Sequence, residues 1–226
     1  CSCCTQVWRG LYLFRLLGMP VPRIGIVRDP RFFLGCWRTT KQIVERLNFE
    51  DMKRVKLFII ASIDGYLACP WDDDMEWFAK FSNPGKTDYG YKEFFISTDT
   101  VVMDELVYND IMCMDVIWPY KDKKTFVVSR FESERKSEEN IQFITSDSIE
   151  TIADLKQLSG KDIWLIGGDV IEHFFDLLDE IQLVYIPIIH GNNKPMLPGN
   201  LKLSNWILAE SKAFDNGAIR LIYQRK

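Results

Sequence analysis

From Val55 onward short apolar runs alternate with stretches of helical periodicity, and this alternation restricts the chain to the α/β class more than any other feature it has. Strands are expected at 54–61, 100–103, 124–129, 141–144 and 162–166. Between them, 74–81 puts Met75, Phe78 and Ala79 on one helical face, and 148–158 spaces Ile149, Ile152, Leu155 and Leu158 three apart. The stretch 169–178 repeats that design as one helix. After it the alternation stops: 181–189, 206–214 and 218–224 read as strands joined by Gly/Asn/Pro turns, an antiparallel addition to the sheet edge. The expected architecture is a mixed, mostly parallel central sheet flanked by helices, with antiparallel strands at its C-terminal end. Dense charge clusters only between Glu132 and Asn140, which reads as a solvated loop.

A chain of 226 residues with 47% apolar content suffices for one sizeable core plus an appendage. Residues 1–51 carry eight Lys/Arg against four Asp/Glu, so with a total of −4 the remaining 175 residues hold a net −8. An acidic body lacks the basic face that counterion release on nucleic acid requires, and no nucleic-acid partner is expected. No run approaches the 18 apolar residues of a membrane span, because Arg9, Arg15, Arg23 and Arg28 interrupt the first segment. Four of the six cysteines lie in the appendage, and Cys69 and Cys113 stand isolated in the body, a usage that fits a reducing, cytoplasmic compartment. The appendage shows neither strand nor helix periodicity. Residues 1–51 are expected to be a non-native or disordered extension ahead of a body that starts at Met52, against the alternatives of a transit segment or an interaction arm.

The strongest local chemical signal is the strand 162–166 running into Gly167-Gly168 and then Asp169-Val170. Paired glycines at a strand-to-helix turn bring a ligand against bare backbone, and the helix start offers N–H groups suited to a pyrophosphate; a tight turn without a ligand is the alternative. Ser62-Ile-Asp64-Gly65 follows the first strand at its carboxyl end, where open α/β sheets place ligands, and reads either as a pocket edge or as a simple turn. The acidic run Asp72-Asp73-Asp74 precedes Trp77-Phe78. It suits N-capping, while one carboxylate beside those aromatics could hydrogen-bond the N–C–NH2 edge of a pterin or pyrimidine. His173 and His190 do not form a metal-binding pattern, Cys1-x-Cys3-Cys4 lacks a zinc spacing, and no metal is expected. No Ser or Cys nucleophile motif is present.

These segments occur in a recognisable order. Ser62-x-Asp64-Gly65-Tyr66-x-Ala68, Asp73-Asp74-x-x-Trp77, Tyr89-Gly90-Tyr91-x-Glu93-Phe94, Asp99-Thr-Val-Val-Met103, Trp118-Pro119-Tyr120-Lys121, Trp164-Leu-Ile-Gly-Gly168 and Pro187-x-x-x-Gly191 together resemble the bacterial bifunctional deaminase-reductase C-terminal domain family. That family comprises the reductase half of a riboflavin-biosynthesis enzyme and many stand-alone relatives. The resemblance covers about residues 53–225 and implies a dihydrofolate-reductase-like fold, NADPH as cofactor, a small heterocyclic substrate and a homodimer. It implies an NADPH-dependent oxidoreductase similar to 5-amino-6-(5-phosphoribosylamino)uracil reductase or to dihydrofolate reductase. By position Ile60, Ala61, Leu67 and Ala68 would border the nicotinamide, and Met103 and Ile166 would lie at the ends of the cofactor-side strands. Gly167, Gly168, Asp169 and Val170 would meet the pyrophosphate, and Ser129 and Arg130 the 2'-phosphate. Asp74 would be the catalytic carboxylate, with Asp64, Trp77 and Phe78 on the substrate side.

The departures matter as much. Where the family reads Gly-Arg after the second strand this chain has Asp104-Glu105, and Asp169 replaces a third glycine. Acids in phosphate-binding positions imply an eroded 2'-phosphate site, with NADH use or weak binding as outcomes. The chain also lacks the longer substrate-side pattern of true pyrimidine reductases. Two functions compete: an NADPH- or NADH-linked reductase of a pterin, pyrimidine or similar heterocycle, and a catalytically inactive ligand-binding homologue on the same scaffold.

Overall fold

The computed structural model describes residues 52–68, 76–114, 116–129, 140–145, 149–191 and 194–226, all within the compact unit Asp51–Lys226. Along the chain these form β1 (Val55–Ser62), α1 (Glu76–Lys80), α2 (Tyr91–Ser97), β2 (Thr98–Asp104), α3 (Glu105–Cys113), β3 (Lys124–Ser129) and β4 (Ile141–Thr145). There follow α4 (Ile149–Gln157), β5 (Asp162–Ile166), α5 (Gly168–His173), β6 (Glu180–Ile186), β7 (Trp206–Ala213) and β8 (Ile219–Arg225). The strands build one sheet in the order β4-β3-β2-β5-β1-β6-β8-β7. Every pair from β4 to β6 is parallel, and only the pairs β6–β8 and β8–β7 are antiparallel. The mixed, mostly parallel sheet with an antiparallel tail read from the sequence is borne out.

Period-2 side-chain alternation sorts the core onto two faces. On β2 and β5, Val102, Ile163 and Leu165 point to one face, where they meet Ile152 and Leu155 of α4 and Val170 and Ile171 of α5. Val101, Met103 and Trp164 point to the other, against Phe94 of α2 and Tyr108 and Ile111 of α3. That second face is aromatic: Trp164 meets Phe94 edge-on at 5.3 Å and Tyr120 at 5.6 Å. The helices that follow β2 and β5 thus leave to opposite faces, and the chain turns one way after β2 and the other way after β5. A crevice at the carboxyl ends of these two neighbouring strands is the topological consequence.

Several boundaries differ from the sequence reading, each for a local reason. The expected helix 169–178 breaks after His173 into a 3-10 turn, Phe175–Leu177. Phe174 and Phe175 are both buried, and the turn closes through the Leu177 N–H to the Phe174 carbonyl at 2.9 Å, the i→i+3 bond of a 3-10 turn. Arg225 then supplies donors to the carbonyls of Leu178, at 2.7 Å, and Phe175. The strand expected to run to Ile189 ends at Ile186 because Pro187 has no N–H to give the ladder. Two helices that the sequence reading did not delimit, α2 and α3, start at Gly90, in the left-handed region at φ 89°, and at Asp104. Gly90 cannot carry a side chain, since the Arg220 guanidinium fills the space a Cβ would take.

Candidate functional site

The site assembles where strand pairing ends. The β1–β5 ladder stops at Lys56↔Trp164, yet β1 continues to Ser62 on β6 and β5 to Ile166 on β2, so the two carboxyl ends part from each other while each keeps its other neighbour. Ile60 lies ~13 Å beyond Lys56, and Gly167 ~10 Å beyond Trp164, along the parallel strands. Both therefore sit at the same edge of the sheet, within the reach of one dinucleotide.

At the β1 end the sequence-predicted residues come together. The chain turns at Gly65, at φ 85°, and folds back so that the Ala68 N–H donates to the Ile60 carbonyl at 2.8 Å and Ala61 bridges Leu67. Ala61 and Ala68 are buried at the base of this turn, and Ile60 and Leu67 beside them are half-buried. Trp77 and Phe78 of α1 pack in the same cluster as Ile60, together with Phe58, Ile188 and Phe214. The Trp77 ring stands edge-on to His190 at 5.6 Å, and its buried indole N–H has no acceptor among the described residues. Asp74, the carboxylate assigned to catalysis, and Arg130 lie outside the described residues.

Asp64, expected on the substrate side, is committed to the loop. Its carboxylate accepts from Ser62 Oγ at 2.5 Å, from the Gly191 N–H at 2.8 Å and from the His190 N–H at 3.1 Å. These donors, the Ser62 hydroxyl foremost, lower its pKa to about 2. It clamps the β1 turn to the loop after β6, a role that the Pro187-x-x-x-Gly191 pattern signals only once the two loops are known to touch. A pKa below the unfolded value means that the clamp is fully present above pH 3.8 and is lost as pH falls through about 2. The amide shifts of His190 and Gly191 are expected to titrate with a midpoint near 2 and to stop doing so in Asp64→Asn; a midpoint near 4 would contradict the clamp.

At the β5 end Met103 and Ile166 pair across the strands, and Gly167, at φ 104°, caps α5. Met103 and Val170, both expected at the cofactor, are fully buried in the core and offer no surface to a ligand. The β2–β5 crevice already holds an acid. Asp104 caps α3, its carboxylate accepting from the Val107 N–H at 2.8 Å, and it lies so close to Gly167 that a methyl there would overlap it. The Asp169 N–H adds a favourable contact; burial, with the carboxylates of Asp169 and Asp110 adding to it, nevertheless pushes the Asp104 pKa up. Glu105 does the same one strand further out, accepting from Ser129 Oγ at 2.6 Å. The sequence reading took Asp104 and Glu105 as bare repulsive charges. Their hydrogen bonding was foreshadowed by the Asp at a strand-to-helix junction, an N-cap signature.

Over 76% of its length the chain resembles proteins of known sequence or structure. The family described as RibD C-terminal domain matches residues 95–220. The uncharacterised Bacillus subtilis (strain 168) protein YwjB is 28% identical over 176 residues, 76% of this chain and 98% of its own length. A Shewanella sp. PV-4 protein named for riboflavin biosynthesis superposes with a TM-score of 0.65 at 25% identity, over 76% of this chain and 99% of its own. The dihydrofolate reductase of Enterococcus faecalis, solved with NADP(H), shares the fold at a TM-score of 0.53 and 12% identity, over 76% of this chain and 96% of its own. More than half the chain, including the β2–β5 crevice and the Gly167–Gly168 turn, falls inside the family match, and the chain belongs to the RibD C-terminal domain family.

Proposed function

We propose that this chain is an oxidoreductase acting on a flat nitrogen heterocycle of the pterin or pyrimidine kind, with a nicotinamide dinucleotide as its weakly bound partner and no preference for NADPH over NADH. One observation carries this reading: Ile60, whose carbonyl accepts from the Ala68 N–H at the turn after β1, shares one cluster with Trp77 and Phe78 at the carboxyl end of that strand, in a chain of a reductase family. The two ends of the dinucleotide fit differently. The apolar turn at the end of β1, with Ile60 and Leu67 half-buried, suits the nicotinamide ring, which supplies hydride when bound. The phosphates do not fit the arrangement described, because Asp104 stands in the β2–β5 crevice and Glu105 holds Ser129. The acting species is taken to be a homodimer, joined through the β7–β8 edge, where Ile207, Leu208 and Ile219 are exposed on an edge hairpin.

The test is turnover. The whole chain is mixed with NADH or NADPH and a panel of pterins and aminopyrimidinones, following nicotinamide absorbance and, separately, heat of binding. Oxidation of either nucleotide with at least one heterocycle is expected, with KM raised several-fold in Trp77→Ala as ring contact is lost. A second reading, a ligand-binding homologue without turnover, is favoured by the two acids in the phosphate positions. Heterocycle binding without nucleotide oxidation would establish it in place of the first.

A further inference from the structure

We propose that Asp104 determines which anionic ligands this cleft admits: its carboxylate is lodged in the β2–β5 crevice, on the Val107 N–H and against Gly167, so that a phosphate-bearing ligand enters only by displacing it, whereas a phosphate-free ring need not. The inference rests on the reading of the cleft as a nicotinamide-dinucleotide site.

Three observations lead to it. First, Asp104 is 7% exposed at a carboxyl-terminal sheet edge, whereas an ordinary N-cap side chain at a helix start sits in water. Second, Gly167 has both a positive φ and no room for a Cβ, and what takes that room is the Asp104 carboxylate, so the glycine turn and the acid form one fitted unit. Third, the groups on the carboxylate are those a pyrophosphate would need: the Val107 N–H of α3, with the Asp169 N–H at the head of α5 adding to it. Among the described residues the charges raising its pKa are acids, Asp169 on α5 and Asp110 on α3. The crevice already contains its anion, covalently attached, and a second anion meets both the loss of these donors and the repulsion of three carboxylates. A ligand without phosphates, reaching only the turn at Ile60 and Ala68 and the rings of Trp77 and Phe78, meets neither.

The experiment compares the whole wild-type chain with Asp104→Gly and Asp104→Asn. The probes are inorganic pyrophosphate, NADH and a phosphate-free N-alkyl dihydronicotinamide, with the amide shifts of Val107 and Asp169 as reporters. Pyrophosphate and NADH are expected to bind Asp104→Gly at least about tenfold more tightly than wild type and to move both amides, since one full charge is removed from the crevice. Asp104→Asn keeps the cap, because Asn serves as well as Asp there, and guards against loss of fold; it is expected to show an intermediate gain. The dihydronicotinamide is expected to bind all three alike. Pyrophosphate binding to wild type as tight as to both variants would overturn the proposal. A gain in pyrophosphate affinity with no dihydronicotinamide binding by any form would support it and overturn the nicotinamide reading of the site.

Discussion

The double replacement Asp104→Gly with Glu105→Arg is expected to tighten NADPH over NADH by a factor of order ten or more. Asp104 opposes the pyrophosphate common to both nucleotides, so its removal helps both. Glu105 acts only on NADPH: a carboxylate about 5 Å from a phosphate costs on the order of 3 kcal/mol at an effective dielectric near 20, roughly a hundredfold. Partial exposure of Glu105 lowers that figure, and a guanidinium in its place adds a phosphate-pairing group while releasing the Ser129 hydroxyl from its 2.6 Å bond. Loss of the Asp104 cap to Gly costs only a few tenths of a kcal/mol of stability. Titrating both nucleotides against both proteins checks this. Tight, NADPH-selective binding by the unaltered chain would mean that the acids leave their observed hydrogen bonds without penalty.

Lys56→Met is expected to destabilise the fold by about 3 kcal/mol, although it lies at the opposite end of β1 from the site. The Lys56 amine is buried between two carboxylates, 2.6 Å from Asp162 of β5 and 3.4 Å from Glu180 of β6, and so ties together the strands on either side of β1. Removing it leaves two buried acids side by side. Arg54 still reaches Glu180 at 3.2 Å and Asp162 at 3.6 Å from a half-exposed position, which holds the loss to the lower end of what breaking a buried pair costs. Adding Glu180→Gln should recover part of it, since one of the stranded charges disappears. Urea unfolding of the three variants with an unchanged m-value measures the effect. A loss below about 1 kcal/mol for Lys56→Met would show that the amine is not needed to hold the acids.

Much of this architecture could be read from residue order because periodicity is a local property. β3 and β5 fall at 124–129 and 162–166 as expected, and the C-terminal strands are antiparallel because no helix separates them. What periodicity cannot carry is which loops meet. Asp64 is followed by Gly65 and looks like a pocket edge, but its partners are 126 and 127 residues away at His190 and Gly191. The break after His173 is met by Arg225, whose guanidinium donates to carbonyls 47 and 50 residues back, and the burial of Met103 depends on a face chosen by the sheet as a whole. At Asp104 the chemistry was legible and its orientation was not. A family departure suggested repulsion, and the folded chain turns the same carboxylate inward as a cap.

The strand order also dictates when the protein can become a protein. β1 is the first strand made among the described residues, yet its two neighbours, β5 and β6, begin about a hundred residues after it ends. At ribosomal rates of roughly 5–20 residues per second, β1 emerges and waits on the order of 5–20 s with both edges unpaired and Leu57 and Ile59 uncovered. β5 must then thread between two strands already synthesised, the non-local pairing that makes parallel sheets slow to form. The cleft cannot exist before that insertion, because β5 supplies its Gly167 wall. Any nascent fragment ending short of β5 therefore carries the nicotinamide-side turn without a site, and offers two sticky strand edges to whatever chaperone or neighbouring chain meets it first.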